Sequence, residues 1–214
     1  EGNKHGLKIP YGVSLLVSKE NSFYLKLFDL TDTMIKKLVV SSFDITRMNL
    51  KNTTIEELFL EDEAAVEFFY SSIGKAELCV EKVSFGSKSN PQSEEVLKLI
   101  ERVHMGDNVA PKKIKMLVLG RSSFFDFLEE ANRAGQKEIH IEDLAVTQNG
   151  KDNGPKTETS TRIVVSKRIN IRGNTRVLLF IELGPEISHL NIGEIQKQCR
   201  SPRIDMPKIN IRKE

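Results

Sequence analysis

The chain has 214 residues, 39% of them hydrophobic and 29% charged, with a formal net charge of +2, which describes an ordinary soluble protein able to bury a core. No apolar run reaches the ~20 residues of a membrane span, so a transmembrane segment is not expected, and the opening Glu1-Gly2-Asn3-Lys4-His5 is no signal peptide. Cys79 and Cys199 stand far apart and make no disulfide or metal framework, so a reducing, intracellular compartment (cytoplasmic or nuclear) is expected.

Residues 11–18 and 23–30 are strand-like runs on either side of Lys19-Glu20-Asn21-Ser22, which predicts a hairpin. Residues 34–40 read as a third strand, and residues 43–50, with Phe43, Ile45 and Met48 inward, continue it or form a fourth. Thr53-x-x-Glu56 and Thr54-x-x-Glu57 both match a capping box. A helix is therefore expected through Ile55, Leu58 and Phe59 as far as Ile73, bent or broken at Glu61-Asp62-Glu63. On a helix those three acids point in different directions, so they read as a solvated face rather than a cation site. Residues 75–85 read as a strand in which Cys79 is a small buried hydrophobe. Residues 86–92 form a loop, and Ser93 starts a helix that runs to Gly106.

The central stretch is the clearest. Residues 113–119 are a strand broken by Gly120, and Ser122 or Ser123 offers a cap to a helix with Asp126 in its first turn. Phe124, Phe127, Leu128 and Ala131 form one apolar stripe, Gly135 ends the helix, and residues 136–142 alternate as a strand with one wet face. The Gly120–Ser123 loop invites a phosphate-cradle reading, but the three glycines of a dinucleotide fingerprint and the lysine of a Walker loop are missing. Residues 148–160 are polar and turn-rich, a mobile insertion or a disordered loop. Residues 162–171 and 176–183 are expected to pair as a hairpin across Arg172-Gly173-Asn174-Thr175, with the apolar run 177–181 as a central strand. Residues 191–199 suit a short helix, and residues 200–214 an extended basic tail. Ile-Asn-Ile-Arg stands at 169–172 and again at 209–212, so the tail could add a strand to another copy of the chain.

The fold class expected is α+β: antiparallel hairpins at both ends, a central strand–helix–strand unit and a mixed sheet. The division expected is 1–86, a meander plus helix, and 87–214, the central unit with the basic hairpin and tail, or one continuous domain. Charge is uneven, with twelve acids against five bases from 52 to 110 and eleven bases against five acids from 162 to 214. That asymmetry points to a non-enzymatic binding or assembly protein holding a polyanion, RNA or DNA ahead of an anionic membrane surface. The residues expected to carry it are Arg162, Lys167, Arg168, Arg172, Arg176, Arg200, Arg203, Lys208, Arg212 and Lys213. Without interleaved aromatics they would touch phosphates and not bases. The alternatives are a protein–protein adaptor or self-assembling protein without nucleic acid, and an enzyme using Gly120–Ser123 on a nucleotide or phosphorylated substrate. His140, between Glu138 and Glu142, is the best general-base candidate, but no nucleophile accompanies it in sequence. No cofactor and no metal are expected, since no His or Cys has metal-ligand spacing.

Overall fold

The structure is a computed structural model and describes residues 6–74, 78–120, 124–147, 154–173 and 175–193. Among the described residues nine strands form one all-parallel sheet, accompanied by three helices, in place of the expected mixed sheet with terminal antiparallel hairpins. Strand order follows chain order, and each parallel neighbour is reached through a return segment rather than a tight turn. The chain divides into two compact units, residues 1–90 with 98–115, and residues 91–97 with 116–214.

In the first unit β1 (Leu7–Lys8) and β3 (Phe28–Asp29) make a small parallel pair of their own. Four longer strands lie side by side: β2 (Val13–Ser18), β4 (Met34–Ser41), β5 (Thr53–Asp62) and β6 (Leu78–Lys88). Their register explains the pairing. Ile35, Leu38 and Val40 of β4 lie beside Ile55, Leu58 and Leu60 of β5, and these lie beside Val80, Val83 and Phe85 of β6, all buried. Each strand has two residues between its first and second core positions, where a flat strand has one. The same apolar-x-x-apolar-x-apolar spacing recurs at Ile114, Leu117 and Leu119 of β7 (Lys113–Leu119), and at Ile141, Leu144 and Val146 of β8 (Glu138–Thr147). A pattern returning every ~20–35 residues, with one strand per return, is a repeat architecture.

This spacing overturns the helix expected at Thr53. Ile55 and Leu58 are three apart, as on a helix, yet they are successive core positions of an irregular strand. The helix α1 (Glu63–Ser72) starts only after Asp62, whose Oδ1 accepts from the Ala65 amide at 3.0 Å. Ser41 Oγ, Ser42 Oγ and the Ser42 amide also donate to the Asp62 carboxylate, at 2.8, 2.7 and 3.0 Å. Burial pushes that carboxyl up, but the Ala65 and serine donors outweigh it and hold it below the usual range. The middle acid of the 61–63 cluster is thus the helix cap.

The N-terminal hairpin is also replaced. Asn21 accepts from the Ser18 amide at 2.7 Å and donates to the Leu16 carbonyl at 3.0 Å, closing β2 on itself. A 3-10 turn, Ser22–Leu27, follows in place of a second strand. Residues 43–50 hold a second 3-10 turn, Ile45–Arg47, with Phe43, Ile45 and Met48 buried as expected. Gly86, expected in a loop, lies within β6, where a Cβ would come 2.9 Å from the Glu61 carbonyl oxygen. Cys79 is exposed because Val80 takes the core position. The helix α2 (Glu94–His104) forms where expected.

In the second unit β7 pairs with β8, and β8 with β9 (Arg162–Arg172). β10 (Ile181–Leu183) and β11 (His189–Gly193) share the other edge of β9, again parallel to it. The expected Arg172–Thr175 hairpin therefore does not form. The run after it is a 3-10 turn, Thr175–Phe180, and Phe180 packs edge-to-face on Phe125 at 5.7 Å. Of the residues expected to make a short helix, 191–193 are strand and 194–199 lie outside the described residues. The helix α3 (Phe124–Arg133) buries Phe124, Phe127, Leu128 and Ala131, and Gly135 follows at φ 81°, the left-handed conformation a helix stop needs. The polar insertion is tied down where it is described. Buried Glu129 accepts from the amides of Lys156 and Thr157, and Lys156 Nζ reaches Asp126 at 3.0 Å.

Candidate functional site

Residues between the core positions of each strand meet their counterparts on neighbouring strands in lateral rows set by the parallel register. In the first unit Glu57 stands beside Lys82 on β6, and Val39, Phe59 and Ser84 form the next row. Glu57 is only 7% exposed. Its carboxylate takes Lys115 Nζ, Lys37 Nζ at 3.3 Å and Ser84 Oγ at 3.2 Å. Lys37 Nζ also sits 5.1 Å from the centre of the Phe59 ring, a cation–π distance. Burial pushes the Glu57 carboxyl up, but Lys115 and Lys37 outweigh it and hold it below the usual range.

The second unit repeats the pattern. Asp143 on β8 lies opposite Arg168 on β9, and Arg168 opposite His189 on β11. Arg168 grips the buried Asp143 carboxylate with two donors, Nε at 2.9 Å and Nη2, the fork geometry of a strong arginine–carboxylate pair. Lys167 Nζ lies 3.3 Å from Glu142. Arg162 faces Glu138 across the ladder, and Arg172 faces Thr147.

Among the described residues, the expected anion-binding side chains take different surroundings. Lys167 and Arg168 are neutralised by acids of β8. Arg162 and Arg172 are exposed at opposite ends of β9, about 30 Å apart at the rise of a strand. Arg176 is half-buried in the 3-10 turn after β9. Arg200, Arg203, Lys208, Arg212 and Lys213 lie outside the described residues, as do residues 121–123 of the suggested phosphate loop. Because strand order follows chain order, the sheet has no reversal point of the kind at which doubly wound sheets take nucleotides.

His140 and Glu138 do meet, at 3.1 Å, but their side chains are 50% and 43% exposed on an open face. Water reaches both, without the exclusion that sharpens acid–base chemistry. Among the described residues no group of three or more His, Cys, Asp and Glu is placed to hold a metal ion, and no helix is long and apolar enough to cross a membrane. The residues that sequence reasoning missed, Glu57 with Lys37 and Lys115, and Asp143 as the partner of Arg168, stand in the two-residue gap of the repeated spacing on β4, β5, β7 and β8. That spacing was the available signal. No protein-family model, curated protein or solved structure matches the chain.

Proposed function

We propose that this chain is a non-enzymatic protein-binding module that offers the outward face of its parallel strands to a partner protein of mixed charge. The observation that carries the reading is the alternation of sign from strand to strand: Lys37, Glu57 and Lys82 in one unit, Asp143 and Arg168 in the other. A polyanion calls for cations with charge to spare, whereas a mixed row with aromatic and histidine side chains suits a protein surface. Side chains seated on adjacent strands are also held more firmly than side chains on loops, which favours a defined interface. A polyanion contact is a second reading, supported by the exposure of Arg162 and Arg172.

The test compares proteins retained by the immobilised chain, by a face variant (His140→Ala with Arg162→Glu) and by a helix control (Arg133→Glu). The reading expects a protein held by wild type and control and lost by the face variant. Identical capture by all three would overturn it. In parallel, binding of a labelled single-stranded oligonucleotide that weakens with salt at a slope of ~0.7 per phosphate contact would favour the polyanion instead.

A further inference from the structure

One end of the first unit is apolar on the outside. Leu7, Leu16, Phe23, Tyr24, Leu27 and Phe28 are between 38% and 71% exposed. They adjoin one another: Leu7 is the strand partner of Phe28, and the Phe23 and Tyr24 rings meet edge-to-face at 6.0 Å. Leu16, Tyr24 and Phe28 line one cavity of about 160 Å³, and Phe23 and Phe28 line a second of about 550 Å³. At ~150–250 Å² for a large side chain, these fractions leave roughly 500–900 Å² of residue surface open. That reaches or exceeds the ~300–600 Å² of the largest apolar patch on a typical monomer.

We propose that this end is a self-association surface on which a second copy of the chain docks in a two-fold, isologous contact. Two such patches would bury on the order of 1,000–1,700 Å², which overlaps the range of specific interfaces. Charge supports self-pairing. The cations placed on it are paired: Lys8 is closed onto Asp29 at 3.0 Å, and Arg47, which lines the larger cavity, lies 4.0 Å from Asp44. A patch that meets its own copy cannot carry net charge without repelling it, so neutrality is what an isologous contact requires. The surface also combines protruding side chains, Leu7 and Leu27, with the 550 Å³ cavity beside Phe23 and Phe28. Self-complementary packing needs both on one patch. The Ser18 amide and Leu16 carbonyl are taken by Asn21, which leaves fewer β2 backbone groups for an added strand and favours a side-chain contact.

Sedimentation velocity of the whole chain, over about 1–200 μM and at two salt concentrations, tests this. The expected result is a monomer–dimer equilibrium that higher salt leaves unchanged or tightens. Tyr24→Asp and Leu27→Asp alter exposed side chains and should leave the circular dichroism and melting temperature near wild type. Each should raise the dissociation constant at least about thirtyfold, as loss of an interface anchor does. Met105→Asp, exposed in another part of the chain, should leave the dimer intact. A wild-type chain that stays monomeric throughout would overturn the proposal. So would a dimer that survives Tyr24→Asp, or a monomer that instead binds neutral phosphatidylcholine vesicles through this end.

Discussion

Replacing Glu57 by glutamine removes the negative charge between Lys37 and Lys115 while keeping the side-chain volume and an acceptor for Ser84 Oγ. Breaking a fully buried ion pair on one side costs about 3–5 kcal/mol, whereas an exposed pair is worth about 0–1 kcal/mol. Here the carboxylate is 9% exposed but Lys115 and Lys37 are 28% and 38% exposed, so water screens the contact and about 1–2 kcal/mol is expected. For a chain of this length that lowers the melting temperature by about 3–6 °C. The pH dependence has a definite sign. Glu57 is held below its usual pKa when folded, so its contribution is present above the unfolded value of ~4.3 and lost as pH falls through the folded one. Urea unfolding at pH 7, 5 and 3.5 should show the full gap between wild type and Glu57→Gln at neutral pH, closing in acid. Adding Lys115→Met to both backgrounds separates the pairwise contribution from the rest. Equal stability at pH 7, or a gap no smaller at pH 3.5 than at pH 7, would refute the reasoning.

Leu58→Ala removes a fully buried core residue and should cost about 2–5 kcal/mol in denaturant unfolding. Asp62→Ala loses the α1 cap and the acceptor of Ser41 and Ser42, about 1–2 kcal/mol by the same assay. Gly86→Ala places a Cβ 2.9 Å from the Glu61 carbonyl oxygen, so β5 or β6 must shift, and a loss of about 1–3 kcal/mol is expected. Glu129→Ala removes the acceptor of the Lys156 and Thr157 amides, and hydrogen exchange at these two amides should speed up more than at the α3 backbone.

The elements that were legible are those whose signal is local. The stripe of Phe124, Phe127, Leu128 and Ala131, closed by Gly135, needs no partner to be read as a helix, and the run from 113 to 119 needs none to be read as a strand. Which strand pairs with which is not local. Apolar periods of 2 and 3.6 are judged one window at a time, and Ile55-Glu56-Glu57-Leu58 satisfies a helical window as readily as an irregular strand. Only a comparison across windows separates the two, because Ile35-x-x-Leu38, Val80-x-x-Val83, Ile114-x-x-Leu117 and Ile141-x-x-Leu144 carry the same spacing. A search for identical residues finds Ile-Asn-Ile-Arg instead. The real repeat keeps apolar character and spacing without keeping residue identity.

Surface charge, like strand pairing, depends on what stands across the ladder. Counted along the chain, acids dominate from 52 to 110 and bases from 162 to 214, which suggests two patches of opposite sign. A parallel sheet in chain order lays successive segments side by side, so the surface is set by what stands opposite across the ladder. Glu142 and Asp143 precede Lys167 and Arg168 by about one repeat, and that offset makes them neighbours and ion partners. Within β9, Lys167 and Arg168 are thereby paired with acids, while Arg162 and Arg172 at its two ends are exposed. At the other end of the chain, a hairpin strand would have buried one face of the run from Phe23 to Phe28. The 3-10 turn that forms instead leaves Phe23, Tyr24 and Leu27 mostly exposed, and the strand pair that follows leaves Phe28 partly so.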